Sequence, residues 1–193
     1  MNVRKNPKGW RLPAFTAEGV LPPGDYELTL EELQDSFLIL GPDDPAQCPN
    51  WDSAWRLQLL ENAAILVRQL WQVGISAIFL DGSFVEEKDH PNDIDGYFTC
   101  DRSHFENGRL QQELNLIDPH KVWSWASESR RKGPATRKQQ LPMWHRYRVE
   151  LYPHCGIPSG ILDRYGNNLE FPAAFRLSRQ GIPKGIIKIV RDG

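Results

Sequence analysis

The strongest periodic pattern in the chain lies between residues 51 and 74, in the segment WDSAWRLQLLENAAILVRQLWQVG. Large apolar residues recur there every three or four positions, which is typical of a helix with one buried face. Asp52 or Ser53 can cap the first turn, and Gly74 ends the pattern. The pattern therefore predicts a long helix packed against the core.

Two shorter helices are predicted on either side of it. The first runs from about Leu30 to Phe37, after Thr29, whose hydroxyl can cap the helix while Glu32 returns the bond as a capping box. The second runs from Ser103 to about Leu116. The segment GPDDPAQCPN, between the first helix and the long one, is predicted as a loop.

Five segments rich in β-branched and aromatic residues are predicted as strands, and the first two are expected to be neighbours. In the fourth, Tyr147, Val149 and Leu151 point to one face, and Glu150 and Tyr152 to the other. The segments are ISAIFLDGS, DIDGYFTC, KVWSWAS, WHRYRVELYPH and GIPKGIIKIV. Strands and helices together indicate the α/β (α+β) class.

The composition bounds the class of protein. With 193 residues, 40% hydrophobic and 25% charged, the chain is long enough for one domain with a real core. We expect one domain over residues 1–193, with a Pro- and Gly-rich N-terminal arm at about 1–28. No stretch approaches the roughly 18 apolar residues of a membrane span, and no apolar run follows the basic start, so we expect a soluble, cytoplasmic protein without membrane contacts.

Cysteines and charge argue against two further classes. Cys48, Cys100 and Cys155 are odd in number and form no C-x-x-C pair, so neither a disulfide framework nor a zinc ribbon is indicated. His145, His154 and Cys155 lack a recognised zinc spacing, and we assign them structural roles. The net charge of -2 argues against a generally basic surface for nucleic acids, although it allows a local basic patch.

The candidate chemistry begins with two carboxylates spaced two residues apart. In an extended strand, Asp93 and Asp95 project from the same side, roughly 6.6 Å apart along the backbone. Such a pair needs a cation, and Mg²⁺, or Mn²⁺ in its place, prefers hard oxygen ligands. Two such ions can clamp the attacking and leaving oxygens of a phosphoryl displacement. A third carboxylate is expected on an adjacent strand; Glu150 is our candidate, with Asp163 and Glu170 as alternatives.

Gly82 and Ser83 directly follow the apolar run AIFL. A residue without a side chain lets phosphate oxygens approach the backbone, and exposed N–H groups with a hydroxyl can cradle them. We therefore expect this step to hold a nucleoside triphosphate. Either the Gly-Ser step or the D-x-D pair alone would favour an ordinary solvated turn, but their combination favours a metal and nucleotide site.

Gly82-Ser83, a nine-residue spacer and Asp93-Ile94-Asp95 resemble the signature of the polymerase-β-like nucleotidyltransferase superfamily. The resemblance implies a small, mixed, twisted β-sheet backed by helices. It also implies that Gly82 and Ser83 bind the nucleotide phosphates, and that Asp93, Asp95 and a later strand acid, with Glu150 as candidate, bind the metals. GVLPPGDYELTLEEL, DGSFVEEKDHPNDIDG and GIPKGIIKI are similar to segments of an uncharacterised prokaryotic nucleotidyltransferase-like family, over most of the chain.

The sequence departs from the superfamily pattern just after the Gly-Ser step. Members often carry an arginine there, whereas this chain has Glu86 and Glu87 close to the expected triphosphate. Lys88 is our candidate for replacing the arginine as a point charge. Gly96 stands where an apolar residue usually follows the second acid.

Basic and aromatic residues elsewhere have both functional and ordinary interpretations. The segment ESRRKGPATRKQQ is either a contact for the phosphates of an RNA or nucleotide acceptor or a solvated loop. Trp123 and Trp125 can stack on a base, but a core role is favoured. Lys184 and Lys188 are interpreted as solvated ends of the last strand. The basic residues of the loop are Arg130, Arg131, Lys132, Arg137 and Lys138.

The expected function is that of a Mg²⁺-dependent nucleotidyltransferase. It would transfer a nucleoside monophosphate from a nucleoside triphosphate such as ATP to a hydroxyl of an RNA such as tRNA, of a protein or of a small molecule. The alternative is a catalytically inactive binding or regulatory protein, for example the partner of a toxin-antitoxin or defence pair. A third possibility is metal-assisted phosphodiester hydrolysis.

Overall fold

The computed structural model describes residues 12–42, 48–133 and 138–192. Nine strands are formed in this part of the chain. In chain order they are β1 (Asp25–Leu28), β2 (Ile78–Asp81), β3 (Ile94–Thr99), β4 (Arg131–Lys132), β5 (Gln139–Gln140), β6 (Val149–His154), β7 (Ile161–Leu162), β8 (Asn168–Leu169) and β9 (Ile186–Ile189).

Five of these strands form the central sheet, in the order β1-β9-β2-β3-β6. The outer pairs β1/β9 and β3/β6 are parallel, whereas β9/β2 and β2/β3 are antiparallel. The sheet is therefore mixed, and the chain has a mixed α/β architecture, as predicted. The prediction that the segments forming β2 and β3 are neighbours is confirmed. Within the predicted N-terminal arm, Asp25–Leu28 forms the edge strand β1, and residues 1–11 lie outside the described part.

Seven α-helices accompany the strands in the described ranges. They are α1 (Leu30–Gln34), α2 (Phe37–Leu40), α3 (Ser53–Gln72), α4 (Arg102–Glu106), α5 (Arg109–Ile117), α6 (Pro142–Tyr147) and α7 (Phe171–Ala174). The predicted long helix is confirmed as α3, whose first turn is capped by the Asp52 carboxylate, 2.9 Å from the Trp55 amide.

Both shorter predicted helices are interrupted. The capping box at Thr29 and Glu32 is present, but α1 ends at Gln34 and a separate helix, α2, begins at Phe37. The second predicted helix divides into α4 and α5 at Gly108, whose φ of +76° is left-handed and cannot continue a right-handed helix.

The two faces of the central sheet differ in character. One face packs against α3 through side chains such as Leu80, Phe98 and Leu151 and forms the main core. On the other face, Tyr97 stacks on Phe175 of the segment after α7, with ring centroids 5.9 Å apart. Because side chains alternate along a strand, the acids at the ends of β2, β3 and β6 share this second face.

Two predicted strands are wrong in whole or in part. The KVWSWAS segment forms no strand, because the Asn115 side chain satisfies the backbone N–H and C=O of Trp123, and the Trp125 indole donates to the Leu151 carbonyl. In WHRYRVELYPH, the first residues belong to α6, and only Val149–His154 is extended. A proline at the first position of α6 favours the helix start, and left-handed Arg148 ends it.

The basic loop is partly ordered by the short antiparallel pair β4/β5. Residues 134–137, including the predicted contact Arg137, lie outside the described residues. None of the helices in the described ranges is long and apolar enough to cross a membrane. The three cysteines are free thiols.

Candidate functional site

Three carboxylates face one another across the ends of three adjacent strands. Asp81 of β2 pairs with Asp95 of β3, which pairs in turn with Glu150 of β6. Asp93 lies two residues before Asp95, immediately before the first residue of β3. The structure thus brings together the three acids proposed from the sequence and adds Asp81, which sequence reasoning missed although it directly precedes Gly82. We call these four residues the acidic row.

Two members of the acidic row are held by neighbouring groups. Asp93 is 9% exposed, and its Oδ2 accepts a 2.8 Å hydrogen bond from the Trp144 indole. Glu150 accepts from the Leu141 amide at 2.7 Å through Oε1 and from the Tyr152 hydroxyl at 3.0 Å through Oε2. Burial raises the pKa of Glu150, and these bonds oppose the shift.

The cation beside Glu150 is Arg130, with its guanidinium 3.7 Å from Oε1. The ordinary interpretation of Glu150 as an exposed acid paired with Arg146 or Arg148 is therefore wrong, since its side chain is 5% exposed. The alternative acids are engaged elsewhere. Asp163 accepts bonds from Tyr165 and Asn167 in its own loop, and Glu170 lies 3.7 Å from His154.

Asp95 differs from its neighbours because its half-buried carboxylate has no hydrogen bond or ion pair with any described residue. Burial raises the pKa of Asp95 well above its ordinary value, and the charges of Asp93, Glu150 and Asp81 raise it further. Arg179 is the cation that opposes this shift. An unpaired carboxylate among three others is a position where a bound cation would be strongly stabilised.

Asp81 is 1% exposed and has a buried partner in Lys184, which is 2% exposed. The Lys184 ammonium lies 3.2 Å from Asp81 Oδ1, at ion-pair distance but not in hydrogen-bond geometry. It also lies 2.7 Å from Glu86 Oε1 and donates to the Gly82 carbonyl at 3.1 Å. Burial raises the pKa of Asp81 to about 7, although Lys184 lowers it. The prediction that Lys184 is a solvated strand end is wrong, whereas Lys188 is partly exposed to solvent and pairs with Glu27.

Gly82 begins a 3₁₀ turn, Gly82–Val85, directly after β2. Its φ is +77°, and a Cβ atom there would lie 2.6 Å from Asp95 Oδ2. Only glycine fits, for both conformation and space. Ser83 follows on this turn, and its hydroxyl has no partner among the described residues. Gly96 is required by a similar close approach, because a Cβ there would lie 2.3 Å from the Phe79 carbonyl oxygen.

Two cavities meet at Asp95. The Gly82 cavity, about 570 Å³, is bordered by Asp81, Gly82, Ser83 and Lys184. The Glu150 cavity has a volume of about 500 Å³. It is bordered by carboxylates of the acidic row, by basic side chains of the basic loop and by aromatic rings. The residues lining both cavities are Asp95, Ile161, Phe175 and Arg179. The residues of the Glu150 cavity used below are Asp93, Arg130, Lys138, Glu150, Tyr152 and Phe171.

The segment after Ser83 does not meet the cavities as the sequence suggested. Neither Lys88, the candidate phosphate ligand, nor Glu86 or Glu87 lines either cavity. Glu86 is paired with Lys184, and the Glu87 amide donates to the Gly19 carbonyl. The backbone carbonyls of Glu86 and Lys88 accept bonds from Arg56, a buried arginine of α3.

The side chains that could hold a metal ion are few. Within residues 12–42, 48–133 and 138–192, no group of three or more Asp, Glu, His or Cys side chains is arranged to hold a metal. Both Glu150 oxygens accept protein hydrogen bonds and Asp81 faces the Lys184 ammonium, so the acidic-row oxygens left for a cation are those of Asp95 and one of Asp93. Two carboxylates suit a cation whose remaining ligands are waters and substrate phosphates, as is usual for Mg²⁺.

Comparisons with known proteins place the chain in a family but not in an activity. No curated protein and no solved structure matches it. Residues 13–190 match the profile of a family described only as a family of unknown function (DUF6932). This match spans the whole central sheet and the acidic row. The chain therefore belongs to this family of unknown function.

Proposed function

We propose that the protein is a Mg²⁺-dependent nucleotidyltransferase that moves a nucleoside monophosphate from a nucleoside triphosphate to an acceptor hydroxyl. The observation that carries the proposal is the unpartnered carboxylate of Asp95 at the junction of two cavities, with Asp81 and Glu150 in register beside it. The resemblance of Gly82-Ser83 and Asp93-Ile94-Asp95 to the polymerase-β-like superfamily supports the same reaction and, with it, a nucleotidyltransferase fold.

Asp93 and Asp95 are the residues that would hold Mg²⁺, with waters and phosphates completing its coordination. When bound, the ion would neutralise charge on the transferred phosphate. The protein's own contribution is mainly position and electrostatics. Gly82 leaves the backbone accessible to phosphate oxygens, and Ser83 offers an uncommitted hydroxyl at the same turn.

The charge balance around the Gly82 cavity supports nucleotide binding. The sequence places Glu86 and Glu87 close to the expected triphosphate, where their charge would repel it, but Lys184 lies 2.7 Å from Glu86 and 3.2 Å from Asp81. One buried ammonium thus offsets part of the negative charge of two carboxylates close to the cradle. The acceptor would enter through the Glu150 cavity, where Arg130 and Lys138 supply positive charge and Tyr152 an aromatic ring.

The test is transfer of label from each α-labelled nucleoside triphosphate, with Mg²⁺ and total RNA or cell extract as acceptor. Asp93→Ala and Asp95→Asn should abolish transfer, while Asp163→Asn should preserve it. Asp163 is a suitable control because it lines the Gly82 cavity but bonds within its own loop. Since burial and three neighbouring acids raise the pKa of Asp95, Asp95→Asn should also stabilise the fold near pH 8. Loss of transfer with a gain in stability would separate chemistry from misfolding.

A catalytically silent binding protein is the second candidate, favoured by the engagement of both Glu150 oxygens and by the nearby Arg130. In that case a third metal-binding carboxylate would not be available. Metal-dependent nucleotide binding without transfer to any acceptor would favour this candidate. Release of free monophosphate or cut RNA without a labelled adduct would instead favour hydrolysis, and transfer unaffected by Asp95→Asn would contradict the proposal.

A further inference from the structure

We infer that Arg179 is the phosphate-binding cation of this site and holds the phosphate group at the junction of the Gly82 and Glu150 cavities. The inference rests on the proposed function for the identity of the substrate, but its core is a binding site for a polyphosphate. Lys88, the phosphate ligand predicted from the sequence, lines neither cavity.

The position of Arg179 is the first argument. Among the described residues it is the one basic residue that lines both cavities. It shares this position with Asp95, the unpartnered carboxylate. A phosphate between Asp95-bound Mg²⁺ and a guanidinium would have positive charge on both sides, which is how anionic groups are held during transfer.

The availability of Arg179 is the second argument. Its exposed guanidinium has no hydrogen bond or ion pair with the described part of the chain. Its backbone, in contrast, is fixed in a turn in which the Ser178 hydroxyl accepts from the amides of Gln180 and Ile182, both at 3.2 Å. Gly181, with φ of +78°, completes the turn. The side chain is thus presented from an ordered segment while its donors remain free for a ligand.

The other basic side chains around the site either bind protein groups already or line only one of the two cavities. Lys184 is bound by Asp81, Glu86 and the Gly82 carbonyl. Arg130 lies beside Glu150 and donates to the Gln139 carbonyl. Arg164 lines the Gly82 cavity but not the Glu150 cavity, and its guanidinium lies 4.7 Å from the centre of the Tyr165 ring.

The chemistry of the side chain is the third argument. A guanidinium presents two parallel N–H groups that match two oxygens of one phosphate, which a lysine ammonium cannot do. Arg179→Lys should therefore retain charge but lose the paired geometry. Arg164→Gln is the matched control, because Arg164 is also exposed, basic and on the rim of the Gly82 cavity.

The experiment measures binding of inorganic pyrophosphate with Mg²⁺ by calorimetry to the wild-type protein and the variants. Arg179→Gln should weaken binding about tenfold or more, Arg179→Lys by less, and Arg164→Gln by less than about twofold, since one charge-assisted bond is worth about a factor of ten. The melting temperature should change little in Arg179→Gln, because the exposed side chain makes no hydrogen bond or ion pair with the described residues and would lose only its attraction to the charge of Asp95. Equal binding by wild type and Arg179→Gln, or no binding by wild type, would overturn the inference.

Label transfer separates this inference from the proposed function. If the wild type binds pyrophosphate through Arg179 but transfers no label, the phosphate site stands and the transferase proposal fails. If the wild type transfers label and Arg179→Gln does so with unchanged kcat and KM, the transferase proposal stands and the role of Arg179 is refuted.

Discussion

Two buried cations, Arg56 and Lys184, bind the same segment of chain in different ways. Arg56, from α3, donates to four backbone carbonyls, those of Leu38, Phe84, Glu86 and Lys88, at 2.7 to 3.1 Å. Lys184, from the segment before β9, lies against two carboxylates and one carbonyl. Both are fully or almost fully buried, at 0% and 2% exposure.

The two sets of partners give the two cations different roles: Arg56 stabilises the fold, whereas Lys184 belongs to the candidate site. Carbonyls do not titrate, so Arg56 fixes the course of the chain after Gly82 at any ordinary pH. Burial lowers the pKa of Arg56 to about 9, with the charge of Asp89 opposing the shift, so the guanidinium stays protonated below that pH. Its guanidinium also lies 3.8 Å from the centre of the Trp51 ring. Lys184 instead compensates acids beside a cavity, so its contribution depends on their ionisation. The comparison predicts one pH-independent and one pH-dependent contact.

The largest expected effect is that of Arg56→Met. Four buried carbonyls would lose a charged donor, and the free energy of unfolding should fall by about 5 kcal/mol. Urea unfolding at several pH values would measure the loss, which should be similar at each. Arg68→Met, an exposed position on the same helix, should change stability by less than about 0.5 kcal/mol. Equal losses of stability in the two variants would contradict the structural role of Arg56.

The next effect is the pH dependence caused by Asp81. Its folded pKa of about 7 lies above the ordinary aspartate pKa of 3.8, so between these pH values the folded state binds more protons than the unfolded state. Stability should therefore fall as pH rises from about 4 to 7, by about 4 kcal/mol from this group at 1.4 kcal/mol per pKa unit. Asp81→Asn should flatten the measured curve by that amount. A curve as steep as that of wild type would contradict the assignment.

Lys184→Met should cost about 3 kcal/mol at pH 8, because it leaves two acids without their buried partner. At pH 5 the cost should be smaller, since Asp81 is then largely protonated and needs no cation. The matched control is Lys188→Met, whose exposed ion pair with Glu27 is worth less than about 1 kcal/mol. A cost that does not vary with pH would make Lys184 resemble Arg56 and would refute the pH dependence assigned to its contacts.

The smallest expected effect is the difference in stability between alanine substitutions at Gly74, after α3, and at Gly82, after β2. Gly74→Ala carries only the strain of a left-handed residue, φ +84°, with no atom within 4 Å, and should cost about 1 kcal/mol. Gly82→Ala adds a contact of 2.6 Å with Asp95 Oδ2 and should cost about 2 kcal/mol more. The difference should shrink in an Asp95→Ala background. Denaturant unfolding of the four variants measures the contact between the turn and Asp95.

The sequence determined the features that depend on near neighbours. The α3 helix follows from its apolar period and the Asp52 cap, and the common side of Asp93 and Asp95 follows from strand alternation. The pairing of β2 with β3 was predicted because the two strands are adjacent along the chain. The sequence also singled out Glu150, since its position on the polar face of a strand can be read from alternation alone.

The partners of these acids depend on how distant parts of the chain pack together. Asp81 joined the acidic row through cross-strand register, and Lys184 and Arg179 reached it from the end of the chain, at distances along the sequence that no local pattern encodes. The same limit explains why Lys88 was proposed as a phosphate ligand and does not reach the cavities. Local hydrogen bonds and periodicity are fixed by neighbouring residues, whereas the position of a charge in a site is fixed by how distant strands pack.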